Sequence, residues 1–556
     1  MTTEPLVLGP LVRHVDATSA SVWVETRDRA RVTVRAGNGQ WHAATFAVRG
    51  HHYALVEAHG LPSGTATPYT VELDGRPAWP PTNGEGADFP PSVLATLQPG
   101  KPLRLAFGSC RTSVGHDRAG NSSHGVDALR TLALQLAGDD SARWPDLVLF
   151  LGDQVYADET TAAMREFIAS RRDIDEPPGP ELKDYEEYAH LYSLAWRDPL
   201  NRWLLSTLPS SMIFDDHDVR DDWNTSYAWQ CDIRSTGWWH ERIVSGLASY
   251  WVYQHLGNLS PAERDQDVMW QRVVRHHGDD ELDLTEPLEA LAARVDEHPE
   301  AYRWSFARDF GDVRLVVVDS RAARVLTPQR RELLDDREAD WLDERMRGDV
   351  RHLLIGTSLP FLLPPGLHHL EAWSEAVGNG AWGERAAAWG EKLRRAVDLE
   401  HWAAFQGAFQ HVAAMAVEVA DGRRGVAPQT VTFLSGDVHH SYLAEVDRDG
   451  RPGGRIVQAV CSPIRNPLPV RMRFATAALA YAVAGPFGAL VSRSAKVRKP
   501  PFRWRNLAGP WFDNSIAVLE DRPEGLAVRW HTGTVEHGDD RHPRLDTIAD
   551  VLVRPR

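Results

Sequence analysis

Cysteine is nearly absent from this chain: Cys110, Cys231 and Cys461 are the three in 556 residues. So few thiols make no disulfide framework. They suit a reducing compartment or individual chemical roles. The start, Met1-Thr2-Thr3-Glu4-Pro5, lacks a basic region, a long apolar run and a twin-arginine pair. No export signal is read there, and a cytoplasmic location is expected. Uncharged runs are scarce as well. One, residues 474–491, is just long enough to span a bilayer. It is mostly alanine and glycine and is broken at Gly485-Pro486, so a buried or lid-like helix pair is expected. Membrane contact is the alternative, helped by the flanking Arg471, Arg473, Arg493, Lys496 and Arg498. Positive charge is also short. A formal net charge of −16 argues against a nucleic-acid polymer as the partner, since phosphate backbones need a basic footprint. Most of that acid reads as solvated surface. Nothing here fixes the oligomeric state.

What the chain does have is the composition of a globular protein, 43% hydrophobic and 25% charged. Its length calls for at least two domains. Residues 1–98 read as all-β: Ser19 to Thr26, Arg31 to Arg35 and Tyr69 to Leu73 alternate with period two, and turns at Gly37-Asn38-Gly39 and Asp74-Gly75 separate them. That spacing suggests an immunoglobulin- or fibronectin-like sandwich. From 99 to 556 the texture is α/β, with an acidic, exposed insertion expected at 278–300 and a closing hairpin near 515–530. Aromatic helices around 185–208 and 236–256 read as core rather than as ligand platforms.

Three hydrophobic runs end abruptly in metal-ligand residues. Leu147 to Leu151 meets Gly152-Asp153-Gln154-Val155-Tyr156. Met212-Ile213-Phe214 meets Asp215-Asp216-His217-Asp218. Val431 to Leu434 meets Ser435-Gly436-Asp437-Val438-His439-His440. Buried strands that stop this way place carboxylates and imidazoles at the rim of a sheet, where open α/β sheets bind ligands. Asp153 has two oxygens and so can bridge two metals. Tyr156, three residues on, can reach the same metal as a phenolate, which implies a strongly Lewis-acidic ion such as ferric iron. Asp216 and His217 leave a strand side by side, so one can ligate while the other faces substrate. Asp437 and His439 share a side by the period of two, and His440 points away. Cys110 follows a strand and Gly108-Ser109. It reads as a thiolate ligand, with a small buried hydrophobe as the alternative. Cys231 and Cys461 read as structural.

Together, Gly108-Ser109-Cys110 and these three motifs resemble the signatures of PhoD-like phosphatases, the alkaline phosphatase D branch of the calcineurin-like metallophosphoesterases. The resemblance runs over about residues 101–530. It implies a four-layer α/β/β/α sandwich behind the small β-sandwich, and a centre of Fe3+ and Ca2+, with Mn2+ or Zn2+ as alternatives. Cys110, Asp153, Tyr156 and His439 would hold the iron; Asp153, Asp216 and Asp437 would hold the second metal. His217 would contact the phosphoryl group and protonate the leaving oxygen. Arg111 is a candidate phosphate clamp, or else a surface arginine. Gly356-Thr357-Ser358 stands where the wider superfamily often supplies a histidine, which favours an oxygen-liganded second metal over zinc. The expected activity is hydrolysis of a small phosphate mono- or diester. The alternatives are a metal-stabilised scaffold without catalysis and a membrane-surface lipid phosphodiesterase.

Overall fold

Ser19–Thr26 alternates in sequence, yet every one of its residues is buried. The alternation sorts side chains between two interiors rather than between core and water. Val22 and Val24 join Val34, Val56 and Val71 inside an N-terminal β-sandwich. Trp23, Tyr53 and Leu55 point the other way, into the core of the large domain. One sheet of the sandwich orders Leu6–Val15, Ser19–Thr26, His51–His59 and Phe46–Val48. The other is built on Gly39–Ala44, Arg31–Ala36, Ala66–Leu73 and Arg76–Trp79. The computed structural model describes residues 4–396, 399–448, 450–469, 473 and 484–555.

The outward face of the first sheet is bonded to the large domain as well as packed on it. Arg13, 1% exposed, donates from Nη2 to the Gln254 carbonyl at 2.5 Å and to Asn258 Oδ1 at 3.3 Å. The hydroxyls of Tyr53 and Tyr253 lie 3.0 Å apart. The acidic stretch 278–300, expected as an exposed insertion, is part of this junction. Leu282–Asp283 pairs in parallel with Phe46–Val48 and adds a fifth strand to that sheet. The helix Thr285–Glu297 that follows buries Leu288, Leu291, Ala292 and Val295. Glu286 and Glu297 occupy the wet face, and the acidity of the stretch masked an apolar stripe at helical spacing.

The large domain is two sheets face to face with helices outside both, a four-layer α/β/β/α sandwich. The six-stranded sheet runs Ser210–Ile213, Leu147–Leu151, Arg104–Gly108, Ile516–Arg522, Gly525–Thr534 and Arg544–Val553. The seven-stranded sheet runs Phe306–Phe310, Val313–Val318, His352–Thr357, Thr430–Ser435, Arg455–Val460, Ser441–Asp447 and Arg503–Trp511. Period two again divides the residues. Leu315, Val317, Leu354 and Leu434 face the other sheet. Val316, Leu353, Ile355, Val431 and Phe433 face outward onto Trp341, Phe409 and Val412 of the covering helices. Gly356 lies in the inner layer. A Cβ there would sit 3.2 Å from Leu151 and 3.3 Å from Val317, so those side chains would have to give way by a few tenths of an ångström.

This arrangement sets up the site. Gly108 pairs with Phe150, and Phe150 with Met212, in parallel register. Leu434 likewise pairs with Gly356. The carboxyl ends of these strands reach a common rim. Of the 474–491 stretch, residues 474–483 lie outside the described residues, and the rest begins the helix Ala484–Ser494. Among the described residues, no helix is long and apolar enough to cross a membrane.

Candidate metal centre

The loops at the rim are tied to one another before any ligand is considered. Cys110 N–H donates to the Gly152 carbonyl at 3.2 Å, and Arg111 N–H to that of Asp153 at 3.0 Å. Asp218 Oδ2 accepts from the backbone N–H of both Asp153 and Asp215 at 2.9 Å, and its Oδ1 accepts from Gln254 Nε2 at 3.1 Å. Across the seam between sheets, Ser109 Oγ accepts from Asp437 N–H at 3.1 Å. Glycine makes this approach possible. A Cβ on Gly436 would collide with Ser109 Oγ, and one on Gly152 would lie 2.7 Å from Asp215 Cβ.

Cys110, Asp153, Asp437 and His439 all have left-handed backbones, with φ of 58°, 50°, 65° and 50°. This conformation costs a non-glycine residue roughly 1–3 kcal/mol and concentrates at functional sites. It turns each side chain back toward the rim directly after its strand. The period of two predicted for Asp437 and His439 therefore does not apply, because the strand ends at Ser435.

The donors converge on Asp153. Its Oδ2 lies 3.3 Å from Cys110 Sγ and 3.5 Å from Tyr156 Oη. Carboxylate oxygens of Asp153, Asp215 and Asp216 lie within 4.8 Å of one another. Asp153 Oδ1, Asp215 Oδ2 and Asp216 Oδ1 are buried without a hydrogen bond among the described residues. Buried carboxylates so close, with lone pairs unused, need a cation or a proton. Burial and the neighbouring Cys110 hold Asp153 well above the carboxylate range. Burial and Asp437 push the Cys110 thiol up to about 12. The donor set of thiol, carboxylates and phenol is of a kind that can hold a metal ion. Asp437 sits against the same cluster: its carbonyl lies 3.7 Å from Cys110 Sγ. His439 is held by its backbone N–H on Ser462 Oγ at 3.2 Å. Burial, opposed by Asp437, draws its imidazole down to about 4, leaving it neutral as a ligand must be.

His217 stands on the open side. Its Nδ1 is 2.9 Å from Asp158 Oδ1, and its ring lies 4.8 Å from that of Tyr156. Burial works against its charge, but Asp158 and Asp216 carry its pKa well above the histidine range. Asp216, His217 and Asp221 also bring donor atoms within 4.8 Å of one another, so His217 has the reach of a ligand as well as of a proton donor.

Arg111, the candidate clamp or surface arginine, is only 3% exposed and is engaged away from the rim. Its Nε and Nη2 bond Asp127 Oδ2 at 3.0 and 2.7 Å, and Nη1 bonds the Ala195 carbonyl at 2.8 Å. The guanidinium next to the carboxylates belongs instead to Arg321, which the sequence reading passed over. It bonds Asp215, lies 3.0 Å from Asp216 Oδ1 and 2.6 Å from Glu400 Oε1. Arg321 follows the strand Val313–Val318, but an arginine there is a counter-charge and not a ligand type. His401 was missed too. Its Nε2 is 2.8 Å from Asp437 Oδ2 and its Nδ1 is 2.6 Å from Glu371 Oε1. It follows no strand, so no periodicity pointed to it. Cys461 is buried and Cys231 exposed, neither of them at this cluster.

Replacing Arg321 with methionine leaves Asp215 buried without its counter-charge, while Glu400 keeps Arg324 at 3.3 Å. Breaking such a pair costs about 3–5 kcal/mol. Denaturant unfolding of the metal-free protein should show a shift of that size; an unchanged midpoint would count against the ion-pair assignment.

Residues 133–477 match the model of the PhoD-like phosphatase family, a span that holds Asp153, Tyr156, Asp216, His217, Asp437 and His439 but not Cys110. Residues 3–94 match a domain of unknown function, DUF7800. No curated protein matches the chain. A solved structure described as "Structure of PhoD" aligns with a TM-score of 0.59 at 12% identity, over 100% of this chain and 91% of that one. At that identity the likeness speaks for the fold. The type III pullulan hydrolase from Thermococcus kodakarensis aligns over 94% of this chain and 92% of its own, at 9% identity and a TM-score of 0.13, too low to carry an argument.

Proposed function

Because the chain belongs to the PhoD-like phosphatase family, we propose that it is a metal-dependent hydrolase of phosphate mono- or diesters. The observation that carries this reading is the convergence of Cys110 Sγ and Tyr156 Oη on Asp153 Oδ2, beside buried oxygens of Asp153 and Asp215 that have no hydrogen bond among the described residues. In this reading Cys110, Asp153, Tyr156 and His439 hold ferric iron, and Asp153, Asp216 and Asp437 hold calcium, with manganese or zinc as the competing choices. When bound, such cations neutralise phosphoryl oxygens and acidify water to near neutrality. Asp153 and Cys110 are buried, while His217, Asp437, Val438 and His439 are half-buried. A phosphoryl group therefore meets the site from the His217 side. Asp158 holds Nδ1 of His217 and fixes the tautomer, so the exchangeable proton sits on Nε2. That proton is the one delivered to the leaving oxygen. Arg321 lies behind the carboxylates and keeps Asp215 and Asp216 from repelling each other.

Purified protein should carry iron and calcium by elemental analysis and hydrolyse an aryl phosphate. A visible absorption band should arise from the Tyr156 phenolate, and Tyr156→Phe should remove it while most of the bound iron remains. Full metal occupancy with no hydrolysis across a panel of mono- and diesters would overturn the assignment.

A further inference from the structure

From Gly450 to Phe512 the chain has not one aspartate or glutamate, although the whole protein carries a formal charge of −16. The arginines and lysines of that span are therefore not diluted locally. Its C-terminal part folds along one wall of a cleft of 780 Å³, between the helix Pro365–Gly378, the helix Ala484–Ser494 and the edge strand Arg503–Trp511. Arg493, Arg498, Lys499 and Arg503 line the cleft, and no carboxylate does. All four are exposed. Among the described residues, none of them is paired with a carboxylate, whereas elsewhere on this acidic surface arginines such as Arg171, Arg220 and Arg424 are paired.

The inner wall adds a second, independent feature. His368 lines the same cleft and is 1% exposed, and neither of its ring nitrogens has a hydrogen-bond partner among the described residues. Its ring is wedged between Phe409 and Trp504, with centroids 4.5 and 4.8 Å away. Trp504 is anchored by its Nε1 on the Leu363 carbonyl at 2.7 Å. The Ser492 hydroxyl bonds the His369 carbonyl at 2.6 Å and fixes the helix Ala484–Ser494 against the floor. The cations thus stand over a rigid wall with an unused polar group in it. A buried polar group without a partner calls for a ligand or water.

We propose that this cleft is an anion site that takes a phosphate group, with Arg493, Arg498, Lys499 and Arg503 supplying the charge and His368 a directional hydrogen bond. The shared chemistry is a phosphate anion, whether free or carried as the headgroup of an acidic lipid. The inference does not depend on the phosphoesterase reading, because no residue of the cleft is among the proposed metal ligands or proton donors. Guanidinium groups favour phosphate over halide by their planar, forked donors.

The test compares the metal-loaded wild-type protein with the triple variant Arg498→Gln, Lys499→Gln, Arg503→Gln, and with Arg275→Gln as an exposed charge control. One arm measures inorganic phosphate binding by equilibrium dialysis. The other measures flotation with vesicles of phosphatidylglycerol in phosphatidylcholine against phosphatidylcholine alone. Three basic residues at an anionic surface should be worth roughly 100-fold in binding. Loss of a dialysis-detected phosphate in the triple variant identifies a free anion as the source. Loss confined to phosphatidylglycerol vesicles identifies a lipid headgroup. In both cases aryl phosphate turnover should stay within about twofold of wild type. His368→Phe keeps the ring packing and should weaken the same arm without touching turnover. Equal binding by wild type, triple variant and control in both arms overturns the proposal.

Discussion

Asp153→Ala is expected to lose turnover and bound metal together. Both Cys110 and Tyr156 come close to Asp153, and it is also grouped with Asp215 and Asp216. In the proposed reading Asp153 is the group shared between two ion positions, so without it the remaining donors lose their common anchor. Single-residue losses of this kind in preorganised sites cost about 100- to 1,000-fold, and more where the group belongs to a unit. A fall of about 1,000-fold or more in kcat/KM, with iron and calcium both depleted, is the expected result. The metal-free protein supplies an independent readout. Burial raises the Asp153 carboxyl well above its ordinary range. A carboxyl raised on folding contributes stability below its unfolded pKa and loses it as pH rises through the folded value. Asp153→Asn should therefore relieve the metal-free fold more at pH 8 than at pH 4. Retained metal, or equal effects on stability at the two pH values, would remove Asp153 from the centre of the site.

His217→Ala is expected to do the opposite with respect to metal: turnover falls while occupancy persists. Positioned general acids contribute about 100- to 10,000-fold. The carboxylates of Asp158 and Asp216 lift the His217 pKa against the effect of burial, so the ring holds its proton at neutral pH. Wild-type turnover should decline on the alkaline side as that proton is lost, and the variant should lack this limb. Asp158→Asn keeps the ring but loosens its Nδ1 contact at 2.9 Å. A smaller loss, about 10- to 100-fold, should accompany a shift of the same limb. If His217→Ala instead strips iron or calcium, the grouping of His217 with Asp216 and Asp221 is the functional one and His217 is a ligand.

The architecture was readable because the inner strands are short, nearly continuous apolar runs. Leu147 to Leu151 and Val431 to Leu434 announced buried strands, and the residues following each strand announced a rim. The N-terminal sandwich was equally plain. Less visible was that its strand Ser19–Thr26 is buried on both faces, since a tryptophan facing another domain looks like a tryptophan facing solvent in a linear string. The candidate site was legible where a ligand type follows a strand directly, as at Asp153, Asp216 and Asp437. It was not legible where a residue acts from outside a strand end. Asp218 staples two loops through backbone hydrogen bonds, His401 reaches Asp437 from just before the short turn Trp402–Ala404, and Arg321 balances charge. None of these roles has a periodicity. Arg111 misled for the same reason: adjacency to Cys110 in sequence says nothing about which carboxylate its guanidinium will find.

Cys110, Asp153 and Asp216 hang from one sheet, while Asp437 and His439 hang from the other. An ion gripped from both sides would rivet the two halves of the sandwich at its lip. Occupancy and resistance to unfolding would then be a single quantity measured in two ways. Neither half, cut free, would own a complete set of ligands, and starvation for metal would be felt by the whole scaffold and not by the chemistry alone.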